Sequence, residues 1–267
     1  GEIVIGLGMT EPNAGSAVTD LTTKAVEDGE GFRVSGSKVF TSNSPDADIF
    51  LIYVRYHEGV NGIGSLLMDT SMEGFSKGKS SKYTNGEEWC ALYFDNVFIP
   101  KENVLLGPGG FKKQIAGFNA ERIGNTARSL AVGEFAYNLA KEYALTREQF
   151  GKKICEFQGI QWKFSDMKIQ IEAGRLLLYR AAINADKGFP SSKETSIAKA
   201  FCNKAGFDIC NEAMQVMGGT GYSQETLVEY CFRKSRGWQI AGGSTEMMKN
   251  RIAEEIFERR FSQRPNK

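Results

Sequence analysis

The chain has 267 residues, 41% of them hydrophobic and 24% charged, with a formal net charge of +1. That is long enough to bury a substantial core in one large domain or two smaller ones. The near-neutral charge gives no footprint for nucleic acid or an anionic membrane, and no apolar run approaches the roughly 18 residues of a membrane span.

Five cysteines, Cys90, Cys155, Cys202, Cys210 and Cys231, form no C-x-x-C pair. This argues against a disulfide scaffold or a zinc site and for a reducing compartment, the cytoplasm or a mitochondrial matrix. The single histidine, His57, would have to carry any Ser-His-Asp triad or His-rich metal site alone, which disfavours hydrolases and metalloenzymes. Residue 1 is Gly1, no signal peptide is visible, and Ile3-Val4-Ile5 already reads as a strand, so the chain is expected to begin inside a fold.

Up to about residue 106 short apolar runs alternate with turns. Gly31-Phe32-Arg33-Val34, Phe50 to Val54, Gly64 to Met68 and Ala91 to Phe94 are the runs; Gly29-Glu30-Gly31, Asn61-Gly62 and Asn85-Gly86 are hairpin-like turns between them. After Gly107-Pro108-Gly109-Gly110 the period becomes helical. Ile123, Ala127, Leu130, Ala131, Phe135 and Leu139 share a face, as do Ile160, Phe164, Met167, Ile171 and Leu178. Gly188-Phe189-Pro190 separates a third helix with Ile197, Phe201, Ala205 and Ile209, and a fourth is expected from about Ser244 to Phe261. The predicted class is therefore α+β: a small β-barrel or sandwich domain over 1–106, then an antiparallel four-helix bundle over 107–267.

Several segments carry chemistry. Met9-Thr10-Glu11-Pro12-Asn13-Ala14-Gly15-Ser16 is a tight loop whose backbone donors could approach a flat polar heterocycle. Lys38-Val39-Phe40-Thr41-Ser42-Asn43 is an amphipathic strand with an aromatic ring and hydroxyls. On the first helix Gly117, Glu121 and Gly124 stack on one face, a costly placement of two glycines that leaves room for a ligand beside a carboxylate. Arg147-Glu148-Gln149-Phe150-Gly151 offers a forked phosphate donor and a ring. Gln215-Val216-Met217-Gly218-Gly219-Thr220-Gly221-Tyr222 is a glycine-rich stretch at a helix end. Gln239-Ile240-Ala241-Gly242-Gly243-Ser244-Thr245-Glu246 closes the set.

In this order the segments resemble the signatures of the acyl-CoA dehydrogenase flavoprotein family, over essentially the whole chain. In many members a catalytic glutamate occupies the position of Gly242. Here the glutamate stands at Glu121, where the isovaleryl-type and long-chain members carry theirs. The resemblance implies FAD as cofactor, with Met9, Thr10, Gly15, Ser16, Phe40 and Ser42 toward the flavin and Ser244 and Glu246 beside its chain. It implies that Arg147, Phe150, Gln215, Gly218 and Gly219 reach the dinucleotide end of an FAD held mainly by a neighbouring subunit of a homotetramer. Ser16, Phe118, Asn119, Arg122, Ala241 and Gly242 would meet the acyl-CoA. Glu121 would take the α-proton and the Gly242 amide would bind the thioester carbonyl, forming a 2,3-enoyl-CoA with electrons passing to an electron-transfer flavoprotein.

Three departures from the family pattern stand out. Ala17 replaces a common acidic residue, Arg233-Lys234 replaces Arg-Asp, and the family's N-terminal helical domain has no counterpart in these residues. The same site could run in reverse as an enoyl-CoA reductase, or use dioxygen as an oxidase. A non-catalytic flavin-binding or assembly subunit is the rival from another class. Alanine and glycine at 241 and 242 are also expected to open space for branched or bulky acyl groups.

Overall fold

A computed structural model of the chain describes residues 1–263 apart from 184, 186 and 187; the last four residues of the expected helical domain lie outside the described residues. The chain divides into two compact units, Gly1–Ile115 and Ala116–Lys267.

The first unit is one sheet of nine strands: β1 (Ile5–Gly8), β2 (Lys24–Asp28), β3 (Gly31–Ser42), β4 (Ile49–Arg55), β5 (Ile63–Asp69), β6 (Phe75–Lys77), β7 (Ser81–Lys82), β8 (Glu88–Pro100) and β9 (Val104–Leu106). Its order is β6-β8-β3-β2-β4-β5-β9, with β1 parallel to β4 and β7 on β8. The path is open at both ends, so the unit is sandwich-like and not a closed barrel. All three expected turns join antiparallel neighbours: Asp28 pairs with Gly31, Arg55 with Ile63, and Lys82 with Glu88. Side chains alternate across each strand, and Val34, Phe50, Ile52, Leu66, Met68, Leu92, Val97 and Ile99 meet in one core.

The second unit is helical. Its elements are α1 (Phe111–Thr146, starting at the end of the first unit), the two-residue strands β10 (Glu148–Gln149) and β11 (Lys152–Lys153), α2 (Gln158–Ile183), α3 (Ser192–Met217), the single turn α4 (Gly219–Tyr222), α5 (Leu227–Trp238) and α6 (Thr245–Ile256). Arg175 of α2 bridges Glu134 at 2.7 Å and Phe164 packs edge-on to Tyr137, so α1 and α2 run antiparallel. Helix α3 packs against α2, α5 and α6, and its Cys202 carbonyl accepts a 3.4 Å bond from Ser129 of α1. The fourth expected helix is α6, shorter than anticipated, and α5 was not foreseen.

The buried faces differ from two of the three expected. On α1, Ala131 and Phe135 are exposed, whereas Asn125, Thr126, Ser129, Gly133, Ala136, Ala140 and Ala144 are buried. On α3 the buried face runs through Ala198, Lys199, Cys202, Ala205, Gly206 and Ile209, and Phe201 is partly exposed. Small residues let α1 and α3 approach until their backbones touch: a Cβ added at Gly206 would stand 2.4 Å from the Ser129 carbonyl oxygen, and one at Gly133 would stand 3.1 Å from the Gly206 Cα. Periodicity picks out the large apolar residues, but close packing here selects the small ones. Among the described residues no helix is long and apolar enough to cross a membrane.

Gly206→Ala is expected to destabilise the protein by about 1–2 kcal/mol, the strain of overpacking exceeding alanine's better helix propensity. Urea unfolding midpoints of the two proteins check this.

Candidate active site

In the first unit the loop after β1 is tied down by one buried ion pair. Lys38 Nζ lies 2.8 Å from Glu11 Oε1 and both side chains are out of solvent. The Glu11 carboxylate also accepts from the Thr22 and Thr23 backbone N–H groups and both hydroxyls, at 2.6–2.9 Å. Lys38 further donates to the Met9 carbonyl at 3.3 Å, and Val39 N–H donates to the Thr10 carbonyl at 2.9 Å. Burial pushes the Glu11 carboxyl up, but the Lys38 charge and the bonds from Lys38, Thr23 and Thr22 outweigh it and hold it at about 2. For Lys38 burial wins over the Glu11 charge, leaving the ammonium at about 8.

This anchoring fixes the edge where Met9 and Thr10 run beside Phe40, while Gly15 and Ser16 are exposed farther round the loop. Phe40 stands at a register shift between β3 and β8 with φ +57. A bulky residue in that region is a steric outlier, and its ring is turned outward, 57% exposed. Trp89 supports it at 4.7 Å between ring centroids, and Tyr83 stacks on Trp89 at 6.0 Å. Burial pushes the Tyr83 phenol up to about 12, a hydrogen bond from Ser42 opposing. The result is an open aromatic ledge with Ser42 at its side.

In the second unit Glu121, Asn119, Arg122, Ala241 and Gly242 come together. Gly242 has φ +67, and a Cβ built on it would stand 3.1 Å from Glu121 Oε2 and 3.3 Å from Asn125 Nδ2. The Glu121 carboxylate thus fills the room into which a side chain at 242 would point, and the space expected there for a bulky acyl group is taken by Glu121 and Asn125. Asn125 Nδ2 donates to Glu121 Oε1 in a short bond. Arg122 Nε donates to the Gly242 carbonyl at 2.9 Å and Nη1 to Asn119 Oδ1 at 3.0 Å; Asn119 Nδ2 donates to the Pro190 carbonyl at 3.1 Å. Arg122 and Asn119 are therefore engaged in holding loops. Burial lowers the Arg122 guanidinium, against the pull of Glu121. Gly124 faces open space, while Gly117 has the Phe189 ring 3.6 Å from its Cβ direction. Phe118 is half-buried beside them.

Ser244 caps α6, its hydroxyl accepting from Met247 N–H at 3.4 Å. Glu246, exposed in the first turn, is lowered by its own backbone N–H and by Ser244, which hold it at the helix end.

Arg147 and Phe150 lie in the hairpin between α1 and α2. Phe150 and Gly151 take φ +52 and +79, the two left-handed positions of a type I′ turn, and the Phe150 ring is 94% exposed. Gln215, Gly218 and Gly219 are exposed at the end of α3, with nothing within 4 Å of a Cβ on either glycine. Both places thus present exposed groups with open space around them. From Glu121 to Arg147 the helix climbs about 39 Å at 1.5 Å per residue, so these groups and Glu121 are far apart in one chain.

Sequence reasoning missed Asn125, Trp89, the Glu11–Lys38 anchor, and two buried donors on α3, Lys199 and Asn203, that both reach the Trp238 carbonyl. Asn125 had a legible signal, four residues from Glu121 on a helix. Lys199 sits on a buried stripe that apolar periodicity did not locate.

Comparison with known proteins places these features in a family. Residues 6–97 match the family model "Acyl-CoA dehydrogenase, middle domain", and residues 108–257 match "Acyl-CoA dehydrogenase, C-terminal domain". A short-chain-specific acyl-CoA dehydrogenase of Clostridium acetobutylicum is 33% identical over 96% of this chain and 69% of its own length. A protein of Acetobacterium woodii named as a subunit of a caffeyl-CoA reductase-Etf complex is 34% identical over 92% of this chain and 66% of its own. The structure of butyryl-CoA dehydrogenase from Megasphaera elsdenii superposes with a TM-score of 0.91 at 33% identity, over 96% of this chain and 68% of that one. The chain spans between 64% and 69% of the first curated relatives it matches.

Glu11→Gln is expected to destabilise the protein by about 3–5 kcal/mol at neutral pH, since it leaves Lys38 buried without its counter-charge. Because the Glu11 carboxyl is held at about 2 against an ordinary 4.5, its stabilisation is complete above pH 4.5 and is lost as pH falls toward 2. Unfolding midpoints over that window should fall less steeply for Glu11→Gln than for the parent.

Proposed function

The chain belongs to the acyl-CoA dehydrogenase family, and from that premise we propose that it carries the middle and C-terminal parts of an FAD-dependent enzyme that removes hydrogen across the Cα–Cβ bond of an acyl-CoA. The observation that carries this reading is the Glu121 carboxylate standing against Gly242, in the room a side chain at 242 would use. In the proposed reaction Glu121 takes the α-proton. The Gly242 amide donates to the thioester carbonyl and stabilises the negative charge that develops there. Arg122 holds the Gly242 carbonyl, which fixes the peptide that follows the one presenting this amide. Asn125, bonded to one carboxylate oxygen, leaves the other for the substrate.

FAD, when bound, supplies the acceptor for the β-hydride. In the first unit the Phe40–Trp89 ledge with Met9, Thr10, Gly15, Ser16 and Ser42 would meet its flat ring; in the second unit Ser244, Glu246 and the exposed Arg147, Phe150, Gln215, Gly218 and Gly219 would meet its polar chain and dinucleotide end. The roughly 39 Å along α1 between Glu121 and Arg147 exceeds an extended dinucleotide, which supports FAD shared between subunits. An assembly of copies is further supported by Trp162, Ile169, Leu176 and Ile183, exposed at seven-residue spacing along α2. We propose a homotetramer on these grounds, with an electron-transfer flavoprotein as electron partner. The five free thiols suit a reducing compartment such as the cytoplasm or a mitochondrial matrix. One observation favours the reductive direction as a second reading: the Acetobacterium woodii relative is named for a caffeyl-CoA reductase-Etf complex.

In the full-length, flavin-loaded protein Glu121→Gln should keep its FAD and lose acyl-CoA-dependent flavin bleaching by a factor of about 100 or more. Stopped-flow absorbance measures this, and a variant bleaching at near the parent rate would remove Glu121 as the base. Light scattering should give a tetramer, and a stable monomer with stoichiometric FAD would contradict sharing of the cofactor.

A further inference from the structure

The loop that presents Gly242 begins where α5 ends. Trp238 is the last residue of that helix, and its carbonyl is one of those a helix leaves without an internal partner. Two side chains of α3 satisfy it together: Lys199 Nζ at 2.8 Å and Asn203 Nδ2 at 2.7 Å. Both residues are buried, Lys199 at 1% exposure. The next carbonyl, of Gln239, accepts from Thr245 N–H at 3.0 Å, and that of Gly242 accepts from Arg122. The segment from Trp238 to Thr245 is thus pinned at its start, across its neck and at Gly242.

Resting on the reading of Glu121 as base, we infer that Lys199 is a positioning residue for the reaction: its ammonium clamps the Trp238 carbonyl so that the Gly242 amide is held against Glu121, and its charge complements the carboxylate. A cation at a helix C-terminus is favourably placed, but a buried ammonium costs solvation, and Lys199 is the one charged residue on a buried face that otherwise carries apolar residues and the neutral polar Thr195, Ser196 and Asn203. A structural cap alone would be served by Asn203. The charged groups around Glu121 are Arg122 on its own helix and Lys199 on α3, with Arg251 of α6 bearing on Arg122. Burial, with Arg122 adding to it and Glu121 opposing, brings the Lys199 ammonium down to about 8. Lys199 is therefore charged at neutral pH and loses its proton just above it.

The test uses the full-length, FAD-loaded protein and single-turnover flavin reduction by an acyl-CoA that the parent oxidises, from pH 6 to 10. The parent should slow as pH passes about 8. Lys199→Arg should keep the neutral-pH rate within a few-fold and lose most of that limb, because a guanidinium stays charged beyond pH 12. Lys199→Met should lose about 10–100-fold in rate at neutral pH, the cost of a small misplacement, with the gap to the parent narrowing above about pH 8 and with FAD content and substrate affinity within about threefold of the parent. A parent-like rate and profile in Lys199→Met overturns the inference, as does a limb near pH 8 in Lys199→Arg that matches the parent's in midpoint and depth, since Lys38, also at about 8, would leave only part of it. Should Lys199→Met not fold, Lys199→Arg decides alone. Glu121→Gln run in parallel separates the two ideas: if it still reduces flavin the base assignment fails, whereas if it is inert and Lys199→Arg keeps the parent profile only the role of Lys199 fails.

Discussion

A lysine ammonium taken out of water must be given acceptors, and in each unit a fully buried lysine finds them in the loop next to the candidate site. Lys38 reaches Glu11 and the Met9 carbonyl; Lys199 reaches the Trp238 carbonyl. The penalty for leaving either charge unanswered is several kcal/mol, so each loop is held by the energy of solvating a cation and not by its own weak turn preferences. The first lysine brings Met9 and Thr10 alongside Phe40, and the second leads the chain into Gly242. Loops otherwise open locally at little cost. Tying them to buried charge gives them the stability of the core they are bonded to.

How far this could be read beforehand depended on residue size and periodicity. The β unit was legible because its strands alternate and Gly29, Gly62 and Gly86 mark the reversals between them. The parallel pairing of β1 with β4 was not, since the sequence around Ile5 carries no sign of its partner. In the bundle α2 buries the expected Met167 and Ile171, but α1 and α3 meet through Gly133, Gly206 and alanines. A stripe of small residues looks like no face at all on a hydrophobicity count. The same blindness hid Lys199 and Asn203. The Glu121 and Gly242 pairing was legible only as a substitution within a family pattern; that the carboxylate stands where a side chain at 242 would point, 121 positions away in sequence, is a property of the folded chain.

Phe40 and Phe150 are the only described phenylalanines with positive φ, at +57 and +52. Each such residue costs about 1–3 kcal/mol, and neither recovers that by burial, since both rings face outward. Strain kept at two exposed aromatics, each already singled out by its motif, indicates that their value lies in what they touch and not in the stability of this chain.

Helix α1 carries Glu121 in its first half and ends at Thr146, just before Arg147, with Gly133 close to the midpoint between Glu121 and Arg147. A stiff rod of this kind is a lever. Pivoting it by one degree about Gly133 would move Glu121 by about 0.3 Å, against a tolerance of roughly 0.5 Å for catalytic groups. The backbone contact of Gly133 with Gly206 sits at the fulcrum, where no side chain can deform to absorb a tilt. Forces applied at the hairpin end, by a cofactor or a neighbouring copy, would therefore reach the carboxylate as displacement instead of dissipating in soft packing between the helices.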